Sequence, residues 1–180
     1  MGLEVSNLIL KIENMETIKK EKFKFFWGGT FSQWQKSKFI IDGVEFNCCE
    51  QYMMYKKALM FGDYDIANKV MNEKNPREQK ALGRKVKGFN KERWETYCRK
   101  IVYDGNMAKF TQNENMLWEL MSTGDSTIVE ASPKDKIWGI GLSDSDTRAQ
   151  DRSTWQGTNW LGEAIQAVRE TLKKEENEKN

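Results

Sequence analysis

The chain predicts an α+β fold that is predominantly helical, with a small antiparallel sheet near the N-terminus packed on a multi-helix body. Three observations lead there. The alternation in Phe23-Lys24-Phe25-Phe26-Trp27, followed by Gly28-Gly29, marks a strand and a turn. Lys38 to Ile41, Asp42-Gly43 and Val44 to Phe46 form a hairpin pattern, with Asp-Gly the favoured two-residue turn. From Asn47 onward, polar caps and apolar residues at three-to-four spacing succeed one another, which is the grammar of helices.

The elements follow in order. Asn47, with Glu50 three residues on, forms a capping-box start for a helix running to about Met60. A shorter helix fits Tyr64–Asn72. Asn75-Pro76-Arg77-Glu78 supplies an N-cap, a first-turn proline and a first-turn carboxylate for a helix ending before Gly88. Asn90 caps the longest helix, where Trp94, Tyr97, Cys98, Ile101 and Val102 mark a buried stripe that continues past Gly105 toward Phe110. Asn113 opens a short helix through Met116, Leu117 and Leu120, closed by Gly124. Trp94 and Trp118, set among apolar neighbours, read as core. Thr127-Ile128-Val129 is a short strand, 143–154 is a polar loop, and a last helix starts at about Trp160. With no internal linker, the chain divides into a leader (1–22) with an apolar patch at Leu8-Ile9-Leu10, one domain (23–172) and a charged tail (173–180).

Composition narrows the chemistry. The 180 residues suffice for one core, and a net charge of +2 provides no global field for nucleic acid. There is no histidine, which removes Ser-His and Cys-His catalysis and histidine-ligated zinc. Proton transfer near neutral pH must fall to Asp, Glu, Lys, Tyr or Cys. The three cysteines, two of them adjacent (Cys48, Cys49), suggest reduced thiols in a cytoplasmic protein rather than a disulfide frame or zinc knuckle. Asp144-x-Asp146 lacks the glycine and terminal Glu of a calcium loop. The expectation is therefore no metal, no cofactor and no membrane span.

Two blocks carry chemistry. In the first, Glu50 and Lys57 lie nearly two helical turns apart, about 10 Å along one face. A lysine half-sheltered by Met and Tyr would have its pKa lowered, which suits a nucleophile or base. In the second, Glu130, Asp135, Trp138, Gly139 and Gly141 are followed by Trp155, Gly157, Asn159, Trp160 and Gly162. Carboxylates beside flat aromatic faces suit the grip on a planar base and cleavage of its bond to a sugar.

These residues extend into an ordered set. Phe31-Ser32, Asp42-Gly43, Glu50-Gln51-Tyr52, Lys57-Ala58, Gly83-Arg84, Trp94, Lys109-Phe110, Val129-Glu130, Asp135, Trp138-Gly139, Gly141, Gly157, Asn159 and Leu161-Gly162 occur in one order. Over residues 25–172 the set resembles the NADAR, or YbiA-like, family of N-glycosidases. The resemblance implies a YbiA-like fold and hydrolysis of N-glycosidic bonds between a ribose phosphate and a nitrogen heterocycle. One branch of that family acts on riboflavin-pathway ribosylamino-pyrimidine phosphates and another removes ADP-ribose from guanine. The implied ligand is thus a small nucleotide-like molecule or an ADP-ribosylated nucleic acid. A non-catalytic module sensing NAD or ADP-ribose derivatives is the alternative.

Residue types fit the reaction. Glu130 and Asp135 are the carboxylates for the developing sugar cation, their division of roles left open. Trp138, and second Trp27, would stack on the base. Gly139 and Gly141 would let backbone amides approach a phosphate or ribose hydroxyl, and Arg84 offers a planar fork for phosphate. Lys57 either neutralises phosphate or attacks the anomeric carbon to form a Schiff base, with Glu50 holding and deprotonating it. Asn159 caps the last helix or positions ribose. Lys109-Phe110 matches the family pattern without a task legible in the sequence. The charged stretch Leu142–Gln156 is longer than expected for riboflavin-type members, which favours a larger ligand.

Overall fold

The computed structural model describes residues 21–179, so all but the end of the leader, including Leu8–Leu10, lies outside the described residues. Strand β1 (Phe23–Phe26) leads through a 3-10 turn at Gly29–Phe31 to β2 (Phe39–Ile41) and β3 (Val44–Phe46). These two pair antiparallel, with Asp42 and Gly43 both at positive φ (52° and 77°) as a two-residue hairpin turn requires. Five helices follow: α1 (Cys49–Met60), α2 (Tyr64–Asn72), α3 (Pro76–Gly83), α4 (Lys91–Thr111) and α5 (Glu114–Ser122). Strand β4 (Thr127–Glu130) and the terminal helix α6 (Trp160–Asn177) complete the chain.

Local chemistry explains the helix ends. Asp63, Asn75 and Asn90 each accept a backbone N–H from the first turn of α2, α3 and α4. Helix α1 packs on α2, α3 and α4, while α4 in turn packs on α5 and α6. Phe39, Phe46, Tyr52 and Phe110 are buried at the centre, with the Phe46 and Tyr52 rings edge to face at 5.1 Å. Gly105 sits mid-helix because a Cβ there would come within 2.8 Å of the Tyr52 ring.

The expected antiparallel sheet is the β2–β3 hairpin alone; β1 does not join it but pairs with β4 in parallel, Phe26 opposite Glu130. Parallel pairing sends the chain after both strands out of the same edge. The loops beginning at Trp27 and Ala131 therefore rise together, and this builds the site. The exposed faces differ too. Tyr97 is 51% and Trp118 71% exposed, because Cys98, Ile101 and Val102 fill the α4 seam and Leu120 anchors α5. Trp94 is only partly buried against the core. The tail predicted from Lys173 continues α6 as helix to Asn177.

Candidate active site

Glu50 occupies the first turn of α1 and is 4% exposed. The helix starts one residue later than predicted: Cys48 is the N-cap, and the Asn47 amide donates to Gln51 Oε1 at 2.8 Å. That shift leaves the Glu50 side chain out of the cap. Its Oε2 accepts from Trp34 Nε1 at 3.1 Å, and its amide donates to the Gln33 carbonyl at 3.0 Å. Burial, the dominant effect, pushes the Glu50 carboxyl up to about 7, although Lys80, the Trp34 bond and Arg84 favour its charged form.

Glu130 ends β4, its amide donating to Asn159 Oδ1 at 2.9 Å. Its Oε2 is buried with no hydrogen-bond partner among the described residues. Burial first, then the Asp135 and Glu50 charges, hold the Glu130 carboxyl up at about 7, against the pull of Lys80. The native state thus binds a proton that the unfolded chain releases between pH 4.5 and about 7, so this group lowers stability as pH rises through that window. Glu130→Gln should match wild-type stability near pH 5 and exceed it at pH 8 by about 1–2 kcal/mol, since removing an unpaired buried charge relieves its desolvation. Thermal melts at the two pH values check this; an unchanged or lower midpoint at pH 8 would refute it.

Asp135 lies in the loop after β4. Its Oδ1 accepts the amides of Ile137 (3.0 Å) and Trp138 (2.8 Å), and its Oδ2 faces Lys80 Nζ at 4.0 Å. Lys80, on α3, therefore bridges Asp135 electrically to both glutamates. Lys57, on α1, is half-buried, its Nζ 4.4 Å from the Phe89 ring centre and 5.5 Å from that of Trp94. Its shelter is thus aromatic; Met53 and Met54, predicted to provide it, face the core. Burial, then the Arg84 charge, lowers the lysine's pKa, with Glu50 opposing. Arg84 is exposed at the C-terminal end of α3.

The structure thus draws Glu50, Lys57, Arg84, Glu130 and Asp135 into one electrostatic cluster. Sequence reasoning missed two members. Trp34 belongs to no motif, though an aromatic residue soon after a glycine turn was a visible cue. Lys80 carries no local signal, because its importance arises only from the packing of α3 against the loops.

The remaining candidates divide. Trp138 is partly buried, packed edge to face on Trp160 at 5.9 Å. Trp27 is 65% exposed at the end of β1, with no ring or hydrogen-bond contact to the cluster among the described residues. Both glycines are tightly packed, and the role expected of Gly141 needs correction. A Cβ on Gly139 would sit 2.8 Å from the Glu130 carbonyl and 3.0 Å from that of Asp135, so its smallness lets the chain pack on itself. The Gly141 amide already donates to the Asp135 carbonyl at 3.2 Å, which leaves no N–H for a phosphate. Asn159 precedes α6 at positive φ (55°) but makes no side-chain cap. Its amide group instead ties β4, accepting from Glu130 N and donating to the Ile128 carbonyl at 2.9 Å.

The long charged loop does not stand out as an arm. Arg148 pairs with Asp146, Arg152 with Glu21, and Trp155 packs on Phe23 of β1. Along α4, Lys91, Arg99 and Lys100 pair with Glu95, Glu163 and Asp104 on a solvated face. Cys48 and Cys49 are buried, their thiols pushed up to about 11 and about 12, so neither is a nucleophile at neutral pH. A cavity of about 310 Å³, lined by Phe23, Phe31, Trp118 and Ser126 among others, shares no residue with the cluster. No helix among the described residues is long and apolar enough to cross a membrane.

A helical α+β body with a carboxylate–lysine cluster at the edge of a parallel strand pair defines the class: the NADAR domain model matches residues 14–173, and the chain belongs to the NADAR family. Among individual relatives, it is 41% identical over 169 residues to an N-glycosidase of Acanthamoeba polyphaga mimivirus, covering 87% of this chain and 98% of that one. It is 46% identical over 132 residues to protein irg-1 of Caenorhabditis elegans, covering 72% of this chain but only 62% of that protein. The NMR structure of Escherichia coli YbiA shares the fold, with a TM-score of 0.73 at 21% identity over 91% of this chain and 92% of that one.

Proposed function

We propose that this chain cleaves the N-glycosidic bond between a nitrogen base and the ribose of a ribose phosphate or ADP-ribose, without a metal ion, at the cluster of Glu50, Lys57, Glu130 and Asp135. The enzyme class, a hydrolase of N-glycosyl bonds, follows from membership in the family. One observation carries the site: two buried carboxyls on different elements, Glu50 and Glu130, both held at about 7 beside Asp135 and a half-sheltered lysine. Groups poised near neutral pH are what proton transfer to a leaving base requires.

The chemistry follows from the placement. Stretching the C1–N bond places positive charge on the ribose, which Asp135, fixed by two backbone amides, opposes. The base departs with a proton from one of Glu50 and Glu130, while the other, ionised, takes the proton of the attacking water or amine. Arg84 and Lys80 supply positive charge for phosphate, and Trp138 a face for the base. Because the 142–156 loop pairs its own arginines, its charge no longer favours a larger ligand, and both substrate classes enter the test.

Pure protein, without added metal and with a chelator, would be incubated with ADP-ribosylated guanine DNA and with a ribosylamino-pyrimidine phosphate, and base release followed by mass spectrometry. Release from the first alone identifies a de-ADP-ribosylating enzyme, and release from the second alone an enzyme that disposes of riboflavin intermediates. Tight ADP-ribose binding with no release from either would overturn the catalytic reading in favour of a sensor.

A further inference from the structure

We infer that Lys109 is a positioning residue that sets Glu50 by clamping the loop from Ser32 to Trp34; this rests on the reading of Glu50 as a working acid of the site. Lys109 is fully buried on α4, an expensive place for an amine. Its Nζ donates to the Ser32 carbonyl at 3.0 Å. One turn earlier on the same helix, buried Asn106 donates to Gln33 Oε1 at 2.9 Å and is itself anchored to the Val102 carbonyl at 2.8 Å. Two buried polar side chains of α4 thus hold two consecutive loop residues.

That loop in turn holds Glu50 twice, through the Gln33 carbonyl on its amide and the Trp34 indole on its carboxyl. The Ser32 hydroxyl accepts the Trp34 amide at 3.1 Å, so the clamped residue also shapes the turn that presents the indole. The result is a chain of contacts from Lys109 through Ser32 and Trp34 to Glu50, with Asn106 and Gln33 parallel to it. A displaced indole removes a bond that favours the ionised carboxyl, and the Glu50 titration moves up. The other titratable groups around Glu50 are Lys80 and Arg84 from α3, Asp135 and Glu130 from β4 and its loop, and Lys57 and the neutral thiols of Cys48 and Cys49 from α1 and its cap. Those around Lys109 are Cys48, Cys49 and Glu119.

The test follows the Glu50 carboxyl directly by carbon NMR of glutamate-labelled protein, assigned with Glu50→Gln, alongside kcat and KM. Lys109→Met should raise the Glu50 titration and lower kcat by about tenfold or more, as small misplacements of a working group do, with KM little changed. Gln33→Leu, which removes no charge, should act in the same direction and carries the test alone if Lys109→Met fails to fold. In a Trp34→Phe background the titration shift should vanish, whereas simple loss of the lysine's charge would still shift the titration. An unmoved Glu50 titration in folded variants, or a shift undiminished by Trp34→Phe, would overturn the inference. If wild-type protein releases no base, the activity proposed above falls while the titration still decides the role of Lys109.

Discussion

Glu50→Gln should reduce kcat by about 10²–10⁴-fold, the usual contribution of a positioned proton-transfer group, with a much smaller change in KM. The expectation rests on where the carboxyl sits rather than on its residue type. Glutamine keeps the volume and can still meet the Trp34 indole through its carbonyl oxygen, so the fold and the loop survive. What disappears is the capacity to gain and lose a proton. The pH dependence sharpens the case. Glu50 and Glu130 both titrate at about 7 and feel each other's charge, so the pair loses its protons in two coupled steps around neutrality. With one member needed protonated and the other ionised, kcat should follow a bell centred near pH 7, and Glu50→Gln or Glu130→Gln should each remove one limb. Stability must move the other way. Because burial raises the Glu50 carboxyl, its proton is held in the native state up to about pH 7, and folding stability is lost as pH rises through that range. A glutamine variant that is slower yet more resistant to heat at pH 8 is therefore the expected pair of results. A variant with unchanged kcat would remove Glu50 from the mechanism.

Much of this molecule is legible residue by residue. The caps at Asn75 and Asn90, the Asp42-Gly43 turn and the bounds of α2 follow from local chemistry, because a side chain two or three positions away decides each of them. What escapes local reading is pairing at a distance. Phe23 lies opposite Thr127 across more than half the chain, and no short motif announces a parallel partner. The same limit explains the site. Glu50, Lys57, Glu130 and Asp135 stand out as chemistry-bearing residues in an ordered pattern. Trp34 and Lys80 reach them only once β1 and β4 have aligned their loops and α3 has packed on α1. Trp118 fails for a related reason: helical spacing shows which residues share a face but not which of two faces finds a partner, and α5 buries Leu120 instead.

Lys57 decides between two routes to the same products. If its amine only neutralises phosphate, Lys57→Arg should retain most activity, because the charge persists, while Lys57→Ala should raise KM more than it lowers kcat. If the amine is the nucleophile, its nitrogen bonds to C1 as the C1–N bond to the base breaks and the base leaves with a proton from a buried carboxyl. The amine passes its own proton to a neighbouring carboxylate; the ring oxygen then leaves C1 and is protonated, giving a Schiff base with the opened sugar. Water adds to that carbon and restores the lysine. The second route accounts better for the surroundings: burial and the Arg84 charge both disfavour the protonated form of the amine, and outweigh the attraction of an ammonium to the Phe89 and Trp94 rings. A site built only to hold phosphate has no use for a lysine made easier to deprotonate. The expected result is loss of kcat by about 10³-fold or more in both Lys57→Ala and Lys57→Arg, since a guanidinium is no nucleophile at this pH. Borohydride added during turnover should trap a covalent adduct whose mass equals protein plus reduced sugar phosphate, and peptide mapping should place it on Lys57. Absence of any adduct, together with substantial activity in Lys57→Arg, would instead establish direct attack by water, with the lysine serving as a charge for phosphate.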